Sequence, residues 1–131
     1  MDDLSLNPTP DVQSPTGVYI PIDLQDCFHE LDKMLPANVR NQIQDGSETD
    51  LSLHHFGLGI WMRNKWGLWS DEFPLKLYFA RMGVYDADSI SNLILSSYWR
   101  YLNGKPLNLP QQIVYDKIMR DEIENGPKPS S

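Results

Sequence analysis

The chain holds a single cysteine, Cys27, among its 131 residues. That excludes an internal disulfide and predicts a reducing, cytoplasmic compartment. No apolar run approaches the ~20 residues a membrane-spanning helix needs. The stretch Met1 to Pro10 lacks the basic start and apolar core of a secretory signal. Bases are scarce in the first fifty residues, where ten acids face only Lys33 and Arg40. Residues 51–131 carry nine bases against eight acids, so the net charge of −7 is an N-terminal property. A nucleic-acid partner is not expected from this balance, because phosphate binding wants a basic stripe. A basic protein partner suits it, and so does ordinary solubilising charge.

Signatures of chemistry are also missing. Gly57-Leu58-Gly59 has no third glycine, since Met62 stands there, and no strand precedes it. Two helical glycines two residues apart suit close packing on both sides. His54 and His55 are adjacent and point about 100° apart on a helix, so they cannot share one ion. Asp50 and His54 share a face, but two ligands are too few for a metal site. There is no nucleophile elbow. Acids such as Asp71 and Glu72, or Asp121 and Glu122, read as solvated faces. No cofactor, no metal and no enzymatic activity are expected.

Helical periodicity is what remains. Residues 1–17 and 126–131 read as disordered tails, rich in Pro, Ser and Gly. Val18 to Ile22 reads as an extended lead-in, interrupted by Pro21. Asp23 is placed to cap a helix in which Leu24, Cys27, Phe28, Leu31 and Leu35 recur at helical spacing. Cys27 on that stripe reads as a buried structural thiol. Pro36 starts a second helix with Val39 and Ile43, ending at Asp45-Gly46. A third, capped by Ser47 or Thr49, runs from about Asp50 to Lys65. Leu53, Phe56, Ile60 and Asn64 share one of its faces, with Leu51, Leu58 and Met62 elsewhere, which marks it as the central helix.

Ser70 or Asp71 is placed to cap a fourth helix, with Pro74 in its first turn, Leu75, Phe79 and Met82 inward, and Gly83 at its end. Asp86 caps a fifth with the stripe Ile90, Leu93, Ile94, Ser97, Tyr98, Tyr101 and Leu102, stopping at Asn103-Gly104. A sixth opens at Pro110 with Ile113, Val114, Lys117 and Ile118, and Gly126 caps it. The expectation is an all-α, compact bundle of five to six short helices spanning residues 18–125.

Two surfaces are candidates for function. The acids of the first two helices and the turn after them, Asp23, Asp26, Glu30, Asp45, Glu48 and Asp50, suit docking on a basic partner. The tryptophan-rich turn offers Trp61, Arg63, Asn64, Trp66 and Trp69. These residues form either a pocket or a core whose Arg63 and Asn64 tie the turn through backbone hydrogen bonds.

The run His55-Phe56-Gly57-Leu58-Gly59-Ile60-Trp61-Met62-Arg63-Asn64-Lys65-Trp66-Gly67-Leu68-Trp69 resembles the signature of a bacterial domain family of unknown function. The resemblance extends through Tyr19-Ile20-Pro21, Asp26-Cys27-Phe28, Leu31-Asp32 and the segment Ser97 to Lys105. It covers roughly residues 18–115. It departs at Ser70-Asp71-Glu72-Phe73-Pro74, where the family carries a Gly-Gly-Ser-Arg-like segment. It implies a small helical domain and no known reaction. The expected function is a non-enzymatic protein-binding module, most concretely a bacterial immunity protein that occludes a basic toxin. The alternatives are a small-ligand binder or enzyme at residues 61–69, and a regulatory adaptor whose N-terminal tail folds on binding.

Overall fold

The computed structural model describes residues 6–47 and 55–125, with backbone alone at 55–56 and 122–125. Among these residues stand six α-helices and no β-strand: α1 (Leu24–Met34), α2 (Ala37–Asp45), α3 (Ile60–Lys65), α4 (Pro74–Ala80), α5 (Ala87–Leu102) and α6 (Leu109–Asn125). One π-type turn, His55–Gly59, leads into α3. The all-α expectation is met.

Local chemistry sets the helix ends. The Asp23 side chain accepts from the Asp26 N–H at 2.8 Å and starts α1. Asp86 does the same for α5 through the Ser89 N–H at 3.0 Å. Each bond satisfies one of the N–H groups that a helix start leaves without a partner. The expected cap of α4 is corrected. Phe73, not Ser70 or Asp71, is the extended residue before that helix, and no side chain caps it. Pro74 at the first helical position removes one unpaired N–H and holds its predecessor in extended backbone.

The central helix is also corrected. It is α5, which packs against α1, α2, α3 with its π turn, and α6. Ile90, Leu93, Ile94, Leu95 and Tyr98 are all buried. The described part of the segment read as central, residues 55–65, is instead a π turn followed by six α-helical residues. Its buried side chains are Leu58 and Met62, with Trp66 one turn further, while Ile60 and Asn64 face solvent. A π turn accommodates an extra residue per turn, and the helix expected to be apolar round much of its circumference turns Ile60 to solvent. Gly59 is buried, in keeping with a packing role.

Residues 6–17, expected as a tail, lie on the helical body from Leu6 onward. Asn7 N–H donates to Met34 O at 2.9 Å, and Tyr19 N–H to Thr9 O at 2.8 Å. An isolated antiparallel bridge joins Pro10 and Val18. Leu6, Val18 and Ile20 pack on the core. Residues 1–5 and 126–131, Glu48, Asp50 and His54 lie outside the described residues, as do Thr49 and Gly126 with the caps assigned to them.

The α2–α5 junction is closed by polar side chains. Gln44 donates to Leu102 O at 3.1 Å, Asn103 to Gln44 O at 3.1 Å, and the Trp99 indole to Gly46 O at 2.8 Å. Arg40 reaches back from α2 to the carbonyls of Asp32 and Leu35 at 3.0 and 3.1 Å, covering the open end of α1.

Candidate functional site

Asp23, Asp26 and Glu30 recur every three to four residues and so share one side of α1. The structure engages each of them internally. Asp23 is the α1 cap. The Asp26 carboxylate accepts from the Tyr19 hydroxyl and from Ile22 N–H. Glu30, expected at a docking surface, is only 4 % exposed. Its two oxygens accept from Thr9 N–H at 2.9 Å and from the Thr9 hydroxyl at 3.0 Å. A buried carboxylate needs such partners, because an unpaired one loses its hydration without compensation. The expectation that Glu30 is open to a partner is corrected: the segment around Thr9 lies over it. Asp45, at the end of α2, is exposed.

The same carboxylates shift their neighbours. The Asp26 carboxylate, with burial second, pushes the Tyr19 hydroxyl up to about 12, because a negative acceptor favours the protonated phenol. Burial, with Asp26 and Asp23 adding to it, pushes the Cys27 thiol well above its usual range. Cys27 is fully buried, and its environment opposes the thiolate that a nucleophile requires.

The tryptophan-rich turn does not gather its residues around one space. Trp66 is fully buried and meets Trp61 edge to face, with ring centres 5.8 Å apart. Trp69 is 66 % exposed and donates its indole N–H to Asn64 Oδ1 at 2.9 Å. The Arg63 guanidinium leaves the turn altogether. It donates to Ser91 Oγ on α5 at 2.7 Å and pairs with Asp88 at 3.2 Å. The reading in which Arg63 and Asn64 tie the turn through backbone bonds holds for Arg63, whose carbonyl accepts from Leu68 N–H at 3.1 Å, and is corrected for Asn64, which ties it through its side chain. Lys76, buried on α4, closes the far end by donating to Leu68 O at 2.9 Å.

Two features were not legible as sites. Asp32 accepts the hydroxyls of both Tyr98 and Tyr101 at 2.8 Å, while Tyr101 stacks on Phe28 at 4.7 Å. The available signal was two tyrosines three residues apart on a core-facing stripe, since a buried hydroxyl calls for an acceptor. Thr9 carried no signal at all.

Between the start of α5 and α6 lies a cleft of about 120 Å³ lined by Val84, Tyr85, Ser89, Ile113 and Lys117, with Arg120 at one wall. Its charged side chains are engaged. Arg120 meets Asp86 at 2.9 Å and Asp116 at 3.4 Å, Ser89 donates to Asp116 at 2.7 Å, and Lys117 donates to Gly83 O at 2.9 Å. The cleft is smaller than the ~300 Å³ at which small-molecule pockets begin. The outer side of α6 is apolar, with Val114, Tyr115 and Ile118 more than half exposed. The expected inward stripe is thus corrected: Ile113 packs on the core, but Val114 and Ile118 do not. Among the described residues, no group of three or more His, Cys, Asp or Glu side chains is placed to hold a metal ion.

The architecture defines a small all-helical domain organised around one buried helix, with its tryptophan-rich turn bonded into the fold. The chain belongs to the DUF6794 family, a domain of unknown function, whose profile matches residues 20–102. No curated protein and no solved structure matches the chain. The matched span ends at the last residue of α5, so the segment before Ile20 and the helix α6 flank it. No helix among the described residues is long and apolar enough to cross a membrane.

Proposed function

We propose that this chain is a non-enzymatic protein-binding module, and in its most concrete form a bacterial, cytoplasmic immunity protein that occludes a basic toxin. The observation that carries the reading is large apolar side chains standing in solvent on a chain of net charge −7: Trp69, Tyr85 and Tyr115 are each about two-thirds exposed. Exposed aromatics are the usual anchors of protein interfaces, and opposite charge speeds encounter. Arg63 is meanwhile bonded to Ser91 on α5 and Asn64 to Trp69 within the turn, which weighs against a pocket there. Asp45 at the surface, with Glu48 and Asp50 beside it in sequence, meets the partner first. Asp26 and Glu30 join only when the segment over them lifts.

The test is purification of the tagged chain from its native host at low salt, followed by assay of whatever accompanies it. A stoichiometric basic protein whose toxicity the chain abolishes, and which dissociates at high salt, is the expected result. If the partner's toxicity persists at equimolar chain, the immunity reading is wrong. If neutralisation and its salt dependence are unchanged when Asp45, Glu48 and Asp50 become Asn or Gln, acid docking is wrong.

A further inference from the structure

Residues 6–19 form a strap that is closed on itself. Asp11 N–H donates to Gly17 O at 3.0 Å, Ser14 N–H to Asp11 O at 3.1 Å, Gly17 N–H to Ser14 O at 3.1 Å and Tyr19 N–H to Thr9 O at 2.8 Å. Its tip is in solvent, with Val12 97 % exposed. These bonds travel with the strap, so lifting it off the body need not break them.

Among the described residues, the contacts that hold it down are mostly polar. Asn7 N–H meets Met34 O at 2.9 Å, Thr16 Oγ1 donates to Lys65 O, and the Tyr19 hydroxyl to Asp26. Thr9 supplies two donors to Glu30. Among the described residues, Leu6 and Val18 add apolar contact with the core. The α-helices, by contrast, share Leu31, Met62, Trp66, Ile90 and Ile94, each at most 1 % exposed. The matched family span begins at Ile20, so the strap lies before it.

Glu30 gives this arrangement two satisfied states. With the strap down, Thr9 serves the carboxylate. With the strap up, water does. Neither state leaves a buried charge without a partner, which is the cost that keeps most buried ion sites shut. We propose that the strap is a latch: it opens as a unit, without unfolding of the helices, and its Thr9–Glu30 contact masks the acidic side of α1. Pro21, buried, and Ile22, whose N–H donates to Asp26 at 3.1 Å, fix the point about which it lifts. That the masked side receives a basic partner rests on the function proposed above; that the strap opens separately does not.

Native-state amide exchange on the full chain in low denaturant tests the latch. The amides of Asn7 and Thr9, whose acceptors lie on α1, are compared with those of Cys27, Leu35 and Ile90. The strap amides are expected to exchange at least about tenfold faster and with a weaker denaturant dependence, because less surface is exposed when only the strap opens. The conservative core substitution Ile94→Val then speeds the core amides and leaves the strap amides unchanged. Thr9→Val, which removes one donor to Glu30, speeds the strap amides about tenfold, and Thr9→Ser restores them. Strap amides that fall on the core isotherm, that accelerate with Ile94→Val, or that ignore Thr9→Val overturn the latch. A latch that fails while toxin neutralisation holds removes this inference alone, and the absence of any toxin removes the function alone.

Discussion

Asp32 on α1 and Tyr98 on α5 are joined by a 2.8 Å hydrogen bond across 66 residues of sequence, and the second oxygen of Asp32 takes the Tyr101 hydroxyl. This couples the first helix to the central one through groups whose protonation sets the bond. Burial first, then the Asp32 bond, drives the Tyr98 hydroxyl far above its usual value. The Asp32 bond is the leading cause for Tyr101.

Alkaline stability follows from the sign of these shifts. Tyr19, Tyr98 and Tyr101 each bind their proton more tightly folded than unfolded. Their contribution is complete below the unfolded value of about 10 and is lost as pH rises through the folded values, about 12 for Tyr19. Tm is expected to hold to about pH 10 and then fall. Tyrosinate absorbance should show part of the six tyrosines titrating late. All six rising together near pH ~10 would contradict the Asp26 and Asp32 bonds.

Arg63→Ala removes a guanidinium whose side chain is only 12 % exposed. Its partner Asp88 is 62 % exposed, so the ion pair itself contributes little. The loss comes from the Ser91 bond and the packing of the arginine stem, about 1–3 kcal/mol in urea denaturation. Ser91 Oγ still donates to Asp88 O at 3.0 Å, which limits the damage. A cost below about 0.5 kcal/mol would show that Arg63 does not link the turn to α5.

Gly67 and Gly104 both have left-handed backbone, with φ of +69° and +66°. A Cβ at Gly67 would stand 2.2 Å from the Phe73 ring, whereas one at Gly104 meets nothing within 4 Å. Gly104→Ala should cost about 1 kcal/mol, from backbone strain alone. Gly67→Ala should cost clearly more. Equal chemical-denaturation midpoints for the two variants would refute the close packing of Phe73 on the turn.

Ile94 and Ile118 look alike in the sequence, each on an apolar helical stripe. Ile94 is fully buried and Ile118 is 55 % exposed. Ile94→Ala is expected to cost roughly 2–5 kcal/mol, and Ile118→Ala to stay within about 0.5 kcal/mol. Comparable losses in the isolated chain would place the outer side of α6 in the core.

The reach of sequence reasoning can be traced through these residues. Asp23 and Asp86 were legible as caps because capping is local: one side chain and an N–H three residues on. The fifth helix and its stripe were legible because sixteen uninterrupted residues sample the helical period several times. The third helix was misread as the central one, since a π turn interrupts the regular period without an obvious residue signal. Glu30 was misplaced for a different reason. Its own helix leaves it beside Asp23 and Asp26, and the residue that buries it comes from 21 positions earlier.

What the sequence determined by itself is therefore the local layer: the caps of α1 and α5, the all-α class, a buried thiol at Cys27 and the concentration of negative charge in the first fifty residues. Short-range hydrogen bonds and side-chain periodicity fix these, and both are written in consecutive residues. The tertiary structure alone decided that Thr9 meets Glu30, that two tyrosines meet Asp32, and that Arg63 leaves its turn for Ser91. It also chose which side of α6 faces inward. Each depends on which surfaces meet after collapse, a competition among many long-range pairings that no single segment encodes.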